Sequence, residues 1–372
     1  MEKVAEKKKG RMIEQDAAKG LAMLAVIVTH STTLFSAGGR DLQLSSLFSI
    51  IMVSIFGYAM PFYVVMAGYN YRPKDVSYWE TIKIRSKQLL SSFFKFTLAL
   101  WVILGAYMVV RGETTAMPLV KSFVAFWITD PLAGKLGLDA SRTLVAQALG
   151  PTWFVKYLFV ASLIFYAVAP YAVKDNKRMA SVIFGLASIT VLLLFFNIEL
   201  PWGIEVAPAV ASFMLLGTLM KKMNVLRGEE SSWKWRLANL LASIGMSIAL
   251  QISANRVGMF SGGRVNMVLG PLETYLTVIC GFVGTYIMIT LGRYITKIPV
   301  VGRFFIWFGK NSLLFLFVHG SIMRVISDCM GLTGKPGSDA IGLNNIIMVA
   351  LTIFFTSMFI LAREAVLKKT AK

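Results

Sequence analysis

Cysteine and histidine are almost missing from this chain, at two of each in 372 residues. Cys280 falls inside an apolar stretch and Cys329 in a polar break, so a structural disulfide is not expected. Neither cysteine has a His or Cys neighbour at metal-ligand spacing, which argues against a metal centre. Acid is scarce too, with 19 Asp and Glu against 38 Lys and Arg, and charged residues make up only 15% of the chain. There is no internal repeat, no Gly-rich phosphate loop, no nucleic-acid motif and no soluble module longer than a loop. These absences exclude a nucleotide-binding fold of the usual kind, a solenoid and a nucleic-acid binder.

What the chain has instead is apolar residue, at 56% with a mean hydropathy of +0.66. That exceeds what a soluble core of this size buries, so lipid is the expected solvent. A bilayer core of about 30 Å takes roughly 20 apolar residues as a helix. Such stretches occur near 17–36, 46–70, 88–110, 153–173, 180–198, 204–221, 236–253, 268–292, 304–324 and 343–362. The expected fold is all-α and polytopic, with about ten transmembrane helices. The run at 117–128 carries Lys121 and is too short to cross, so it reads as an interfacial or re-entrant helix.

The net charge of +19 is spread through short loops rather than gathered on one module. With ten spans and the N-terminus inside, the inward segments hold 25 of the 38 basic residues and the outward ones 9, while Lys19, Lys95, Lys156 and Lys310 lie within spans. The positive-inside rule therefore places both termini in the cytoplasm and the protein in the cell (inner or cytoplasmic) membrane. The organisation expected is a basic cytoplasmic segment at 1–16, a single ten-helix domain at 17–362 and a basic cytoplasmic tail at 363–372. Residues 1–11 resemble a signal n-region, but no small-residue cleavage site follows, so the first span is expected to stay as an anchor.

Ionisable groups inside spans are costly unless they face protein or a wet cavity, which makes each a functional candidate. In the first span Lys19 and His30 are eleven residues apart, a turn of about 1100° and a rise of about 16 Å, so they share one face at different depths. The ninth span carries His319, the only other histidine. Odd-numbered spans run outward, which puts His30 and His319 at similar depth in the outer half. Ser312, seven residues before His319, shares its face; Asn311 and Ser312 also suit helix–helix hydrogen bonding. Glu273, Trp153 and Lys156 fall at the outer interface, where an aromatic belt residue and a snorkelling lysine are equally expected. Tyr69, Asn70 and the cations Arg72, Lys74 and Arg85 mark the inner end of the second span and the basic loop after it, a composition that suits a polyanionic cytosolic ligand.

On these residues the chain resembles the membrane-bound acyltransferase family 3. That family's first span carries an Arg or Lys and a His separated by ten residues, in a context matched here by Asp16, Lys19, Gly20, Leu21, Ala22 and His30. FYVVMAGYNYR is similar to its second-span segment, with Ala67 where Ser is usual; GPTWFVKYLF and FGKNSLLFLFVHG are similar to later segments. The resemblance implies acetyl or another acyl-CoA as a cytosolic co-substrate, with no permanently bound cofactor. It implies a hydroxyl acceptor on an envelope glycan or lipid-linked sugar, and His30 as general base. His319 and Glu273 are its further catalytic candidates. Lys19, Arg72, Lys74, Arg85, Tyr69 and Asn70 are implied on the donor side, and Trp153, Lys156, Asn311 and Ser312 near the acceptor, with Asp16 and Gly20 structural. A transporter or flippase for a lipid-linked sugar or small molecule is the alternative, opposed by the lack of an inverted repeat. A scaffold without chemistry is a third reading.

Overall fold

The computed structural model describes residues 12–35, 59–73, 76–112, 114–124, 126–127, 149, 152–196, 198–226, 233–256, 273–330 and 343–370. Among these residues the regular structure is helical throughout, with no strand. The helices are α1 (Ile13–Phe35), α2 (Ala59–Tyr69), α3 (Tyr78–Val110), α4 (Ala116–Val124), α5 (Trp153–Ala172) and α6 (Asn176–Phe195). They continue with α7 (Ala207–Lys222), α8 (Trp233–Arg256), α9 (Glu273–Thr296), α10 (Pro299–Lys310), α11 (Ser312–Cys329) and α12 (Leu343–Thr370).

Seven stretches are helical, long and apolar enough to cross a membrane: Tyr78–Val110, Trp153–Ala172, Asn176–Phe195, Pro201–Lys222, Thr277–Thr296, Ser312–Cys329 and Ile346–Lys369. In a bilayer every backbone N–H and C=O needs a partner within the chain, and a helix supplies it internally. The protein is thus an all-α polytopic membrane protein. The spans expected near 17–36, 46–70 and 236–253 fall on α1, α2 and α8, with 46–58 outside the described residues.

Two expected elements are corrected. The third span begins earlier than residue 88: the basic segment read as a loop winds into α3 from Tyr78, where the Ser77 hydroxyl accepts from the Glu80 N–H at 3.2 Å and caps the helix. A π-helical stretch at Ser86–Leu90 lies within α3. The ninth span is not one helix over 304–324. It breaks at Asn311, which ends α10 and precedes α11, and the Asn311 side-chain amide donates back to the Trp307 carbonyl at 3.1 Å. Asn and Ser satisfy the backbone locally and so compete with helix continuation, which a hydropathy run does not register.

The bundle is organised around α1, which packs most extensively on α10 and α9 and also meets α2, α11 and α12; α2 and α7 form the other close pair. Glycine makes both contacts possible. A Cβ on Gly217 would come 2.7 Å from the Tyr69 nitrogen, and one on Gly20 would come 3.2 Å from the Gly309 nitrogen. Small residues that let helix backbones meet are how bilayer-embedded helices associate, because burial of apolar surface from water does not drive it there. The close approach at Gly20 is why this position of α1 is small.

Candidate functional site

The two histidines meet. His30 on α1 and His319 on α11 have ring centroids 5.4 Å apart with an interplanar angle of 39°. The similar depth expected from span parity is realised as contact. His319 is fully buried and His30 half-buried. The Nδ1 of His319 lies 2.7 Å from the carbonyl oxygen of Phe315, one turn earlier. A carbonyl only accepts, so Nδ1 carries the proton, and in the neutral ring Nε2 is left with its lone pair. That Nε2 is buried with no hydrogen-bond partner among the described residues. One basic nitrogen is thus oriented by the backbone and kept unoccupied beside a second imidazole.

Below this pair, towards the start of α1, Lys19 is half-buried and its backbone carbonyl accepts a 2.6 Å hydrogen bond from the Tyr63 hydroxyl of α2. The Ser312 side chain at the head of α11 neighbours the same hydroxyl. Tyr63 therefore joins α2 to α1 and sits beside the helix that carries His319. The sequence reading passed over Tyr63; the one signal for it was a phenol in the middle of an otherwise apolar segment, which in a membrane needs a partner. Asp16 is buried in the first turn of α1, where a carboxylate favours the helix dipole, and its carbonyl lies against Gly309 of α10. Asn311 is half-buried at the α10–α11 break.

The candidates at the C-terminal end of α2 form a second group. Tyr69 is buried; Asn70 is exposed and its side-chain amide donates to the Met66 carbonyl at 2.9 Å; Arg72 is exposed. Lys74 lies outside the described residues. Arg85, on α3, hydrogen-bonds the Tyr166 hydroxyl, sits 5.1 Å from the centre of that ring and donates to Gln88 at 3.2 Å. Tyr166 in turn packs edge-on against Tyr71, with centroids 5.7 Å apart, and the Tyr71 carbonyl accepts from Lys221 of α7 at 2.8 Å. Cations and aromatic rings from α2, α3, α5 and α7 therefore share one end of the bundle. Burial and the neighbouring Tyr166 push the Tyr71 phenol upward from its ordinary pKa, so it is a neutral hydrogen-bonding group there.

At the opposite end of α5, Trp153 is half-buried, edge-on to Tyr157 at 5.0 Å. Lys156 does not snorkel: it is fully buried, donates to the Phe126 carbonyl at 2.7 Å and lies 4.7 Å from the Phe126 ring centre. The neighbouring Trp127 carbonyl accepts from the Trp202 indole at 3.0 Å, so two consecutive carbonyls after α4 are held by side chains. Phe126 and Trp127 lie in a short π-helical stretch just after α4. Glu273 begins α9, and its side chain lies outside what is described. Among the described residues no cluster of three His, Cys, Asp or Glu is placed to hold a metal ion.

An unpartnered imidazole nitrogen on a ring beside a second histidine, a lysine whose carbonyl is held by a hydroxyl and a cationic, aromatic end are parts suited to group transfer to a hydroxyl. No curated protein and no solved structure matches the chain. A family model described as an acyltransferase domain does, over residues 13–362 and so through nearly every helix above. The chain belongs to that family, the membrane-bound acyltransferase family 3.

Proposed function

We propose that this protein is an integral O-acyltransferase of the cell membrane, moving an acyl group, acetyl foremost, from cytosolic acyl-CoA to a hydroxyl of an envelope glycan or a lipid-linked sugar. The observation that carries the reading is the His30–His319 contact at 5.4 Å, with the Nε2 of His319 unpartnered. An alcohol is a poor nucleophile until its proton has somewhere to go, and a neutral imidazole accepts it near neutral pH. His30 is the general base in this scheme, and His319 positions the hydroxyl or polarises the thioester carbonyl. The acceptor oxygen bonds to the acyl carbon as the C–S bond breaks. The proton passes to the imidazole and then to the departing thiolate, releasing an ester and free CoA.

Lys19 and the cationic end that holds Arg72 and Arg85 suit the phosphates of CoA, which sit far from its thioester, and Lys74 in the same basic segment is a further candidate by sequence. The acyl chain can then reach the histidines about 16 Å further along α1. Trp153, Lys156 and Glu273 fall on the acceptor side of this order. The test is acyl transfer by detergent-purified protein, read as release of free CoA. Wild type turns over acyl-CoA and His30→Ala does not. A transporter or flippase releases no CoA in either form, and that outcome would replace the enzymatic reading.

A further inference from the structure

Tyr71, just past the C-terminal end of α2, meets Phe165 and Tyr166 of α5 with ring centroids 5.0 and 5.7 Å apart and interplanar angles of 86° and 66°. Phe165 and Tyr166 are edge-on to one another as well, at 5.2 Å. Every ring contact of the two tyrosines among the described residues is thus edge-on, and neither phenol has its face covered by a stacked ring. Both tyrosines are half-buried, whereas Phe165 is fully buried. The Arg85 guanidinium lies 5.1 Å from the centre of the Tyr166 ring and hydrogen-bonds the Tyr166 hydroxyl. Near the start of α3 the Tyr78 hydroxyl donates to the Leu163 carbonyl at 3.1 Å, so α3 is pinned to α5 beside this cluster. Lys221 of α7 donates to the Tyr71 carbonyl at 2.8 Å, and the exposed Arg72 follows Tyr71 in the chain. Among the described residues neither Arg72 nor Arg85 is ion-paired with a carboxylate.

Cations alone would suit a phosphate, and tyrosines alone would suit the bilayer surface. Tyrosine faces left open beside a guanidinium have the chemistry of nucleotide recognition: a planar base stacks on aromatic and guanidinium planes, and the cation takes the phosphate. A phospholipid headgroup has a phosphate but no plane to offer the rings. We propose that Tyr71, Tyr166 and Arg85 form a binding site for the adenine nucleotide end of acyl-CoA, with the purine on the phenol faces and Arg85 on a phosphate. The choice of nucleotide rests on the acyl-CoA reading above. The site adds to that reading that the donor is recognised by its base as well as by its charge. Tyr166 has two parts in it, offering a ring to the base and holding Arg85 through its hydroxyl.

The experiment uses full-length protein in neutral detergent and calorimetric titration with CoA and with its two halves: adenosine bisphosphate, and phosphopantetheine, which lacks the nucleoside. Wild type is expected to bind adenosine bisphosphate, and to bind CoA about tenfold or more tightly than phosphopantetheine. Tyr71→Leu and Tyr166→Leu should each weaken adenosine bisphosphate and CoA by about tenfold while phosphopantetheine binds as before. Tyr71→Phe keeps the ring and should restore nucleotide binding. If the Leu variants do not fold, Arg85→Gln takes their place with the same split expected between the two halves. A wild type indifferent to adenosine bisphosphate, or variants that weaken both halves alike or neither, would overturn the site and leave the tyrosines as an interfacial belt. Release of CoA from acyl-CoA is followed in parallel. Adenosine bisphosphate binding without turnover counts against the acyltransferase scheme and leaves a nucleotide site standing, whereas turnover without that binding does the opposite.

Discussion

His30 and His319 lie near opposite ends of the chain yet meet at 5.4 Å between ring centroids, on helices that both adjoin Tyr63. These are the only two histidines present. Two of the rarest side chains meeting inside an apolar bundle make this contact the first place to test for chemistry, since packing alone is served as well by Leu or Phe.

The first prediction follows from that contact. His30→Ala and His319→Gln should each lower acyl transfer by about 10²–10⁴-fold, the usual contribution of a positioned acid or base. Membrane insertion should stay intact, and melting temperatures should lie close to wild type for His30, which is only half-buried. Activity of more than about a tenth of wild type in His30→Ala would exclude it as the base.

A second prediction concerns the glycines under α1. A methyl at Gly309 has nowhere to go, because the Asp16 carbonyl of α1 already occupies its space, and Gly20 meets the Phe305 carbonyl in the same way. Gly309→Ala and Gly20→Ala should each destabilise the protein by about 1–3 kcal/mol, as overpacking does in a filled core. Gly185, which meets nothing within 4 Å, is the control and should tolerate Ala. Thermal unfolding in detergent distinguishes the sites, and equal tolerance at all three would remove the close-approach argument.

Much of this was legible in the sequence because hydropathy and charge act over whole segments. The apolar runs reported the helices, and span parity put both histidines at one depth before any contact was known. The break at Asn311 was not legible, since RFFIWFGKNSLLFLFVHG reads as continuous apolar helix and one residue decides where it parts. The start of α3 was hidden for the opposite reason: Tyr78–Arg85 is polar enough to read as loop, and its helix is fixed by the Ser77 cap. Tyr63 escaped because its importance lies in neighbours on α1 and α11 that only tertiary structure supplies.

The charge distribution gives a third prediction, on sidedness. A reporter fused after Lys372 should be cytoplasmic, and one inserted near Gly134 should be external, because 25 of the 38 basic residues fall in the segments assigned inside. Labelling of single cysteines at the same two places by a membrane-impermeant reagent checks it independently. A C-terminus exposed outside would reverse the parity and, with it, the donor and acceptor ends.

The last prediction separates those two ends. Lys19 lies about 16 Å before His30 along α1, on the side of the basic segments, whereas Trp153 begins α5 and Glu273 begins α9 at the ends assigned outside. CoA carries its phosphates remote from the thioester, so removing a cation at the inner end should weaken donor binding more than chemistry. Lys19→Ala and Arg85→Gln should therefore raise the KM for acyl-CoA, or lower kcat/KM for it, with little change in the acceptor's KM. Arg85 is partly engaged by Tyr166 and Gln88, so its effect should be the smaller of the two. Trp153→Ala and Glu273→Gln should do the reverse, impairing acceptor use while CoA binding by calorimetry stays at the wild-type value. If Lys19→Ala left CoA affinity unchanged while Glu273→Gln abolished it, the order of donor and acceptor along the bundle would have to be inverted.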